Sequence, residues 1–155
     1  MINDALLKGV YLFADLDPRQ RADFAAMADA VTLPAETTIF GVGDPATALY
    51  LIQDGTVRIT TTSPGGHLID VATLGSGSHF GEMALLDNAP RSATAQTLEP
   101  TSLFRFDYAK IRALLDRSPP AASILYHALA HFLSNRLRQT TTDMTFAREK
   151  NLRYF

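Results

Sequence analysis

The chain contains no cysteine, which excludes disulfide staples, thiolate nucleophiles and iron–sulfur ligation and agrees with a reducing compartment. It also has no run of eighteen apolar residues, and its start, Met1-Ile2-Asn3-Asp4-Ala5-Leu6-Leu7-Lys8, lacks both a basic opening and a sustained apolar stretch. Neither a membrane helix nor a secretory leader is expected. An excess of charge is missing too: 14 basic against 16 acidic residues leave a formal −2, with no overall pull toward nucleic acid or a membrane surface. These absences point to a soluble cytoplasmic protein with no direct DNA or membrane contact.

The elements of a catalytic site are equally scarce. No Ser, His and Asp arrangement stands out, so no activated nucleophile is expected. His127 and His131 lie four apart and would share a helix face, as two ligands of one metal can, but no third ligand is near in sequence. His67 and His79 precede Glu82 without the His-x-His core of a cupin metal site. The expectation is therefore no catalytic residue, no metal and no cofactor: a binding protein, not an enzyme.

What is present is a chain of 155 residues with 46% hydrophobic content, enough for a single domain over 1–155 with a real core. Asp17-Pro18 reads as a cap and first position of a helix on which Phe24, Met27, Ala28 and Val31 share a face, closing an N-terminal helical region at 31. From Thr32 to Asp107 the apolar period becomes two, as in Leu49/Leu51, Val57/Ile59 and Ile69/Val71. Gly55 separates two strands there, and Pro64-Gly65-Gly66 turns a hairpin. Short strands at regular spacing predict a mainly β, α+β fold with a jelly-roll-like barrel, a double-stranded β-helix, over 32–107.

Asp107 then caps a helix with Ile111, Leu114 and Leu115 on one face. Ser118-Pro119-Pro120 interrupts it, and a longer helix runs to about Arg148 before a mixed-charge tail over 149–155. The stripe Leu125, Leu129, Phe132, Leu133 and Leu137 is wider than one coiled-coil seam, so part of it can cover the barrel and part a second subunit.

The segment from Phe80 to Ala95, FGEMALLDNAPRSATA, concentrates the chemistry. Arg91 carries a planar fork of donors suited to two oxygens of one phosphate. Glu82 accepts only, which suits a ribose hydroxyl. Gly81 leads into the short helix-forming run Glu82 to Leu86, whose first N–H groups have no partner within a helix. Asp87-Asn88-Ala89-Pro90 turns the chain back so that Arg91 can meet that start. Ser92 adds a hydroxyl for a phosphate oxygen or a base edge. A nucleoside 3′,5′-cyclic phosphate would use all of these groups. The competing reading is a scaffold in which Glu82 and Arg91 pair with each other.

FGEMALL followed by APRSATA closely resembles the phosphate-binding cassette, 80–95 here, of the cyclic-nucleotide-binding domain family, which includes catabolite activators, kinase regulatory subunits and gated channels. Ile39-Phe40 with Gly43-Asp44, Leu49 to Ile52 leading into Gly55-Thr56-Val57, and Leu74-Gly75-Ser76-Gly77 also fall at family-like positions. The resemblance, covering roughly Leu12 to Thr142, implies that Glu82 takes the ribose hydroxyl and Arg91 the phosphate, assisted by Gly81, Met83, Ala84 and Ser92. It also implies a homodimer through the terminal helix, and base contacts from Thr140 and Thr141, one of them across that dimer. Ser92 resembles the activators, which favours cyclic AMP, with cyclic GMP as the alternative. No helix-turn-helix follows the terminal helix as it does in the activators, so the expected role is a sensor that relays binding through this helix to an effector protein or to an effector domain of a longer receptor.

Overall fold

The structure, a computed structural model, describes residues 1–152. It opens with α1 (Asp4–Lys8), capped by the Asn3 side chain, and α2 (Pro18–Met27), where Asp17 and Gln20 form a reciprocal capping box with proline just inside the helix. The N-terminal segments are clipped together by Arg21, whose guanidinium is buried between the Asp4 carboxylate and the Leu16 carbonyl.

The face expected to run through Val31 stops at Met27. Ala28 is extended, and Val31 belongs to β1 (Asp29–Leu33). The residues from 29 onward gain a full antiparallel ladder with β8 (Thr101–Asp107), from Asp29 opposite Arg105 to Leu33 opposite Thr101. That long-range pairing overrides a local pattern that reads equally well as helix.

The remaining strands are β2 (Thr38–Phe40), β3 (Ala48–Asp54), β4 (Val57–Thr62), β5 (Leu68–Leu74), β6 (His79–Phe80) and β7 (Thr94–Thr97). They form two antiparallel four-stranded sheets, ordered β1-β8-β3-β6 and β2-β7-β4-β5, the jelly-roll arrangement. The β3–β8 pair has two apolar faces. Leu49, Leu51, Phe104 and Phe106 join the helices in the larger core, where Phe13 packs against Phe24 and Phe106. Ile52 and Leu103 face the other way and meet Val57, Phe80 and Ala95 between the sheets. Gly55 joins β3 to β4 at φ +104°, where an added Cβ would stand 2.8 Å from the Thr101 Cα. Glycine is required at this turn.

A five-residue helix, α3 (Met83–Asp87), sits between β6 and β7. After β8, Asp107 caps α4 (Tyr108–Arg117), and Ser118 ends it. The break expected at the two prolines is a corner, because α5 (Pro119–Leu152) begins directly on Pro119. Of the tail expected over 149–155, residues 149–152 continue this helix, and 153–155 lie outside the described residues. Within α5 only Ala121, Leu125, Ala128 and Leu129 are fully buried, Phe132 and Leu133 are half-buried, and Leu137 is exposed. Among the described residues no helix is long and apolar enough to cross a membrane.

Candidate functional site

Arg91 is fixed first through its backbone. Its N–H donates to the Asp44 carbonyl (2.9 Å), and its carbonyl accepts from Gly43 N–H (2.8 Å), while the Asp44 side chain closes its own turn by accepting from Gly41 N–H. The Gly43-Asp44 turn thus presents Arg91 at the barrel mouth.

The guanidinium turns inward and is 6% exposed. Nη1 donates to the Gly81 carbonyl and the Tyr108 hydroxyl, each at 3.1 Å, and Nη2 donates to the Ala48 carbonyl at 2.6 Å. The Phe40 ring lies beneath it, 4.0 Å from Cζ to the ring centroid, a favourable place for a delocalised cation. Phe40 belongs in turn to an aromatic group with Tyr50 and Phe80, the last two stacked at 5.2 Å. Of the five N–H donors of a guanidinium, these bonds use three. Nε is buried without a partner. Tyr108 also donates to the Gly81 carbonyl. Burial raises its phenol pKa above the ordinary value, against the lowering influence of Arg91, so the hydroxyl is protonated at neutral pH.

Gly81 makes this possible. Its φ is +81°, and a Cβ there would stand 2.7 Å from Arg91 Nη1 and 3.2 Å from the Ala48 carbonyl oxygen. Glu82 follows as the residue before α3, with no side-chain capping bond, and is also 6% exposed. Its Oε2 lies 3.5 Å from Nδ1 of the buried His79, an ion-pair distance without hydrogen-bond geometry, and Oε2 and both His79 ring nitrogens lack hydrogen-bond partners. Glu82 and Arg91 are not paired with each other, so the internal ion pair of a ligand-free scaffold is not formed.

Between them is a cavity of about 180 Å³, walled on one side by Val71, Ala72 and Leu74 and on the other by Gly81 to Ala84 and Ala89 to Ala93, with Arg136 of α5 at its rim. Six residues singled out in the sequence therefore converge there: Gly81, Glu82, Met83, Ala84, Arg91 and Ser92. Ala84 is buried, whereas Met83 and Ser92 are exposed at the opening. Thr140 and Thr141 are not brought to the cavity within the chain. Both are exposed, and Thr141 donates to the Leu137 carbonyl of its own helix. Of the two helical histidines, His131 hydrogen-bonds Tyr11 and His127 is exposed. No group of three or more His, Asp or Glu side chains among the described residues could hold a metal.

Sequence reasoning missed Phe40, Ala48, His79 and Tyr108 as parts of the site, and Arg112 behind it. Arg112 Nη2 donates to Asn88 Oδ1 (2.6 Å) and the Leu85 carbonyl (3.3 Å), tying α4 to the end of α3, where Asn88 is left-handed at φ +56°. The sequence marks Phe40 only by its family-like position and His79 only as a metal-ligand candidate. Tyr108 and Arg112 read equally well as core or surface, and nothing in the sequence marks the Ala48 carbonyl as a partner.

Comparison with known proteins bears on this arrangement. Residues 30–118 match the family described as cyclic nucleotide-binding domain. Over 141 residues, 89% of the chain, the sequence is 39% identical to the "Cyclic AMP receptor protein" of Thermus thermophilus, of which the match covers 62%. The solved Thermus thermophilus catabolite activator protein superposes with TM-score 0.78 at 34% identity, over 88% of this chain and 62% of that one. The N-terminal domain of a transcriptional regulator from Streptomyces coelicolor gives TM-score 0.75 at 34% identity, over 90% and 94%. The chain thus spans about 62% of the length of the Thermus receptor.

Proposed function

The chain belongs to the cyclic nucleotide-binding domain family, and on that premise we propose that it is a cytoplasmic sensor that binds cyclic AMP in the cavity between Glu82 and Arg91 and relays binding through α5. The observation that carries this reading is a pair of opposite buried charges, Arg91 and Glu82, that line one cavity without pairing with each other, with Nε of Arg91 left unbonded. Burying charges without completing their bonds is costly unless something else completes them.

In the proposed complex Arg91 contacts the cyclic phosphate and Glu82 the ribose 2′-hydroxyl. Gly81, Met83 and Ala84 contribute backbone groups, and Ser92 reaches a phosphate oxygen or the base. Charge-assisted hydrogen bonds contribute about 1.5–3 kcal/mol each, and micromolar affinity needs about 8 kcal/mol, so a few of them with base stacking suffice. Arg136 at the rim belongs to α5, so a base seated there would favour one position of that helix over another, which a relay requires. One of Thr140 and Thr141 would contact the base from a second copy. That copy would pack on the outer half of α5, where Leu137, Met144, Phe146 and Leu152 are exposed. The output passes to an effector protein or an effector domain, and the domain acts by binding rather than catalysis.

Calorimetry on protein stripped of co-purified nucleotide tests the reading. Cyclic AMP is expected to bind, Arg91→Ala to abolish the heat, and Glu82→Ala to weaken binding by about ten- to a hundredfold. Silence toward cyclic AMP and cyclic GMP alike would overturn it. Cyclic GMP is the second reading, favoured by the Ser92 hydroxyl at the opening, which could accept from a guanine amino group. Competition between the two nucleotides decides.

A further inference from the structure

Next to the cavity lies a buried basic group that phosphate or base recognition does not require. His79 is held by β6, where it stands opposite Leu51 of β3, and its side chain is 4% exposed. The imidazole packs on Phe132 of α5, ring centroids 4.4 Å apart and planes at 54°, and it lines both the nucleotide cavity and a neighbouring one bounded by Gly9, Tyr11 and Phe132. Both ring nitrogens are buried without hydrogen-bond partners, and Nδ1 looks at the similarly unpartnered Glu82 Oε2 from 3.5 Å. A phenyl ring would fill this space without the desolvation cost of two nitrogens.

We propose that His79 is a positioning residue: its Nδ1 holds Glu82 Oε2, so that the carboxylate presents its other oxygen to the ligand's ribose hydroxyl. This rests on the nucleotide-binding reading. A carboxylate that accepts from a hydroxyl with one oxygen still needs its buried second oxygen satisfied, and among the described residues no other side chain forms an ion pair with Glu82. A ligand that draws Glu82 into line needs only a few tenths of an ångström of movement to bring the His79 contact into the ordinary hydrogen-bond range of about 2.7–3.2 Å. Phe132 limits how far the imidazole can turn away, which makes the contact dependent on where α5 sits.

The test compares cyclic AMP with 2′-deoxy cyclic AMP, which lacks only the hydroxyl, on the full chain by calorimetry. Wild type is expected to prefer cyclic AMP by about tenfold or more, the size of one charge-assisted hydrogen bond. In His79→Phe the preference should fall below about threefold, the loss of most of that bond. His79→Asn, whose side-chain amide stands near the position of Nδ1, should restore most of it. The ratio of the two affinities is insensitive to the folded fraction, so a destabilised variant still reports. An unchanged ratio in His79→Phe overturns the inference, even if both nucleotides bind more weakly, because that is a packing effect. Equal affinity of wild type for the two probes also overturns it. Wild-type silence toward cyclic AMP removes the nucleotide reading itself, and this inference with it.

Discussion

At the scale of single residues, the site depends on one side chain that is absent. Gly81 combines a positive φ with a carbonyl that receives both Arg91 and Tyr108, and a methyl group there would strike the Arg91 guanidinium. Gly81→Ala is expected to lower stability by about 1–3 kcal/mol in urea unfolding, from strained backbone alone, and to remove nucleotide binding by displacing Arg91. Binding that survived with unchanged affinity would refute the placement. The sequence pointed to Gly81, Glu82 and Arg91 because their donor and acceptor types suit a cyclic phosphate and the segment around them resembles a known cassette. It could not point to Tyr108 or Ala48, 17 and 43 positions from Arg91, since nothing local marks a carbonyl or a phenol as the partner of a distant guanidinium.

At the scale of elements, α3 is too short to persist alone, because one helical turn hardly repays its nucleation. It is held by burial of Ala84 and Leu85 and by the Arg112 clip onto Leu85 and Asn88. Arg112→Ala should speed amide exchange across residues 83–89 and weaken cyclic AMP binding several-fold, with little change in melting temperature. Unchanged exchange there would show that burial suffices. At the N-terminus, the hydrogen bond from Arg21 lowers the Asp4 carboxyl below its ordinary pKa. A depressed folded-state pKa contributes stability above the unfolded value, and that contribution is lost as pH falls through the folded one. The melting temperature of Asp4→Asn should therefore lie below wild type at neutral pH and converge with it below the usual carboxylate range. Parallel curves would contradict the linkage. Both capping signals, at Asp17 and Asp107, were legible because a cap is a local arrangement of side chain and backbone. The end of α2 was not, because Val31 was claimed by β8 across more than seventy residues.

At the scale of the whole molecule, two cores share the β3–β8 ribbon, and α5 leaves the larger one after Leu129. The outer half of that helix carries the exposed Leu137 and Phe146, the surface proposed for a second copy. Light scattering is expected to give a dimer for wild type and a monomer for Leu137→Glu combined with Phe146→Glu. A monomeric wild type would remove the dimer, and with it the reach of one of the two threonines, Thr140 or Thr141, to a partner's base.

The sequence by itself determined the order of helix and strand, the turn glycines, the helix caps and the presence of an acid and a guanidinium in one short segment. Each of these is a property of a residue and its near neighbours: a period, a sign of φ or a donor count. Only the tertiary structure decided that Arg91 folds inward over Phe40 instead of onto Glu82, and that His79 stands between Glu82 and Phe132. Those outcomes depend on which distant segments the closing barrel brings together, and a side chain's partner is set by that closure rather than by its own preferences.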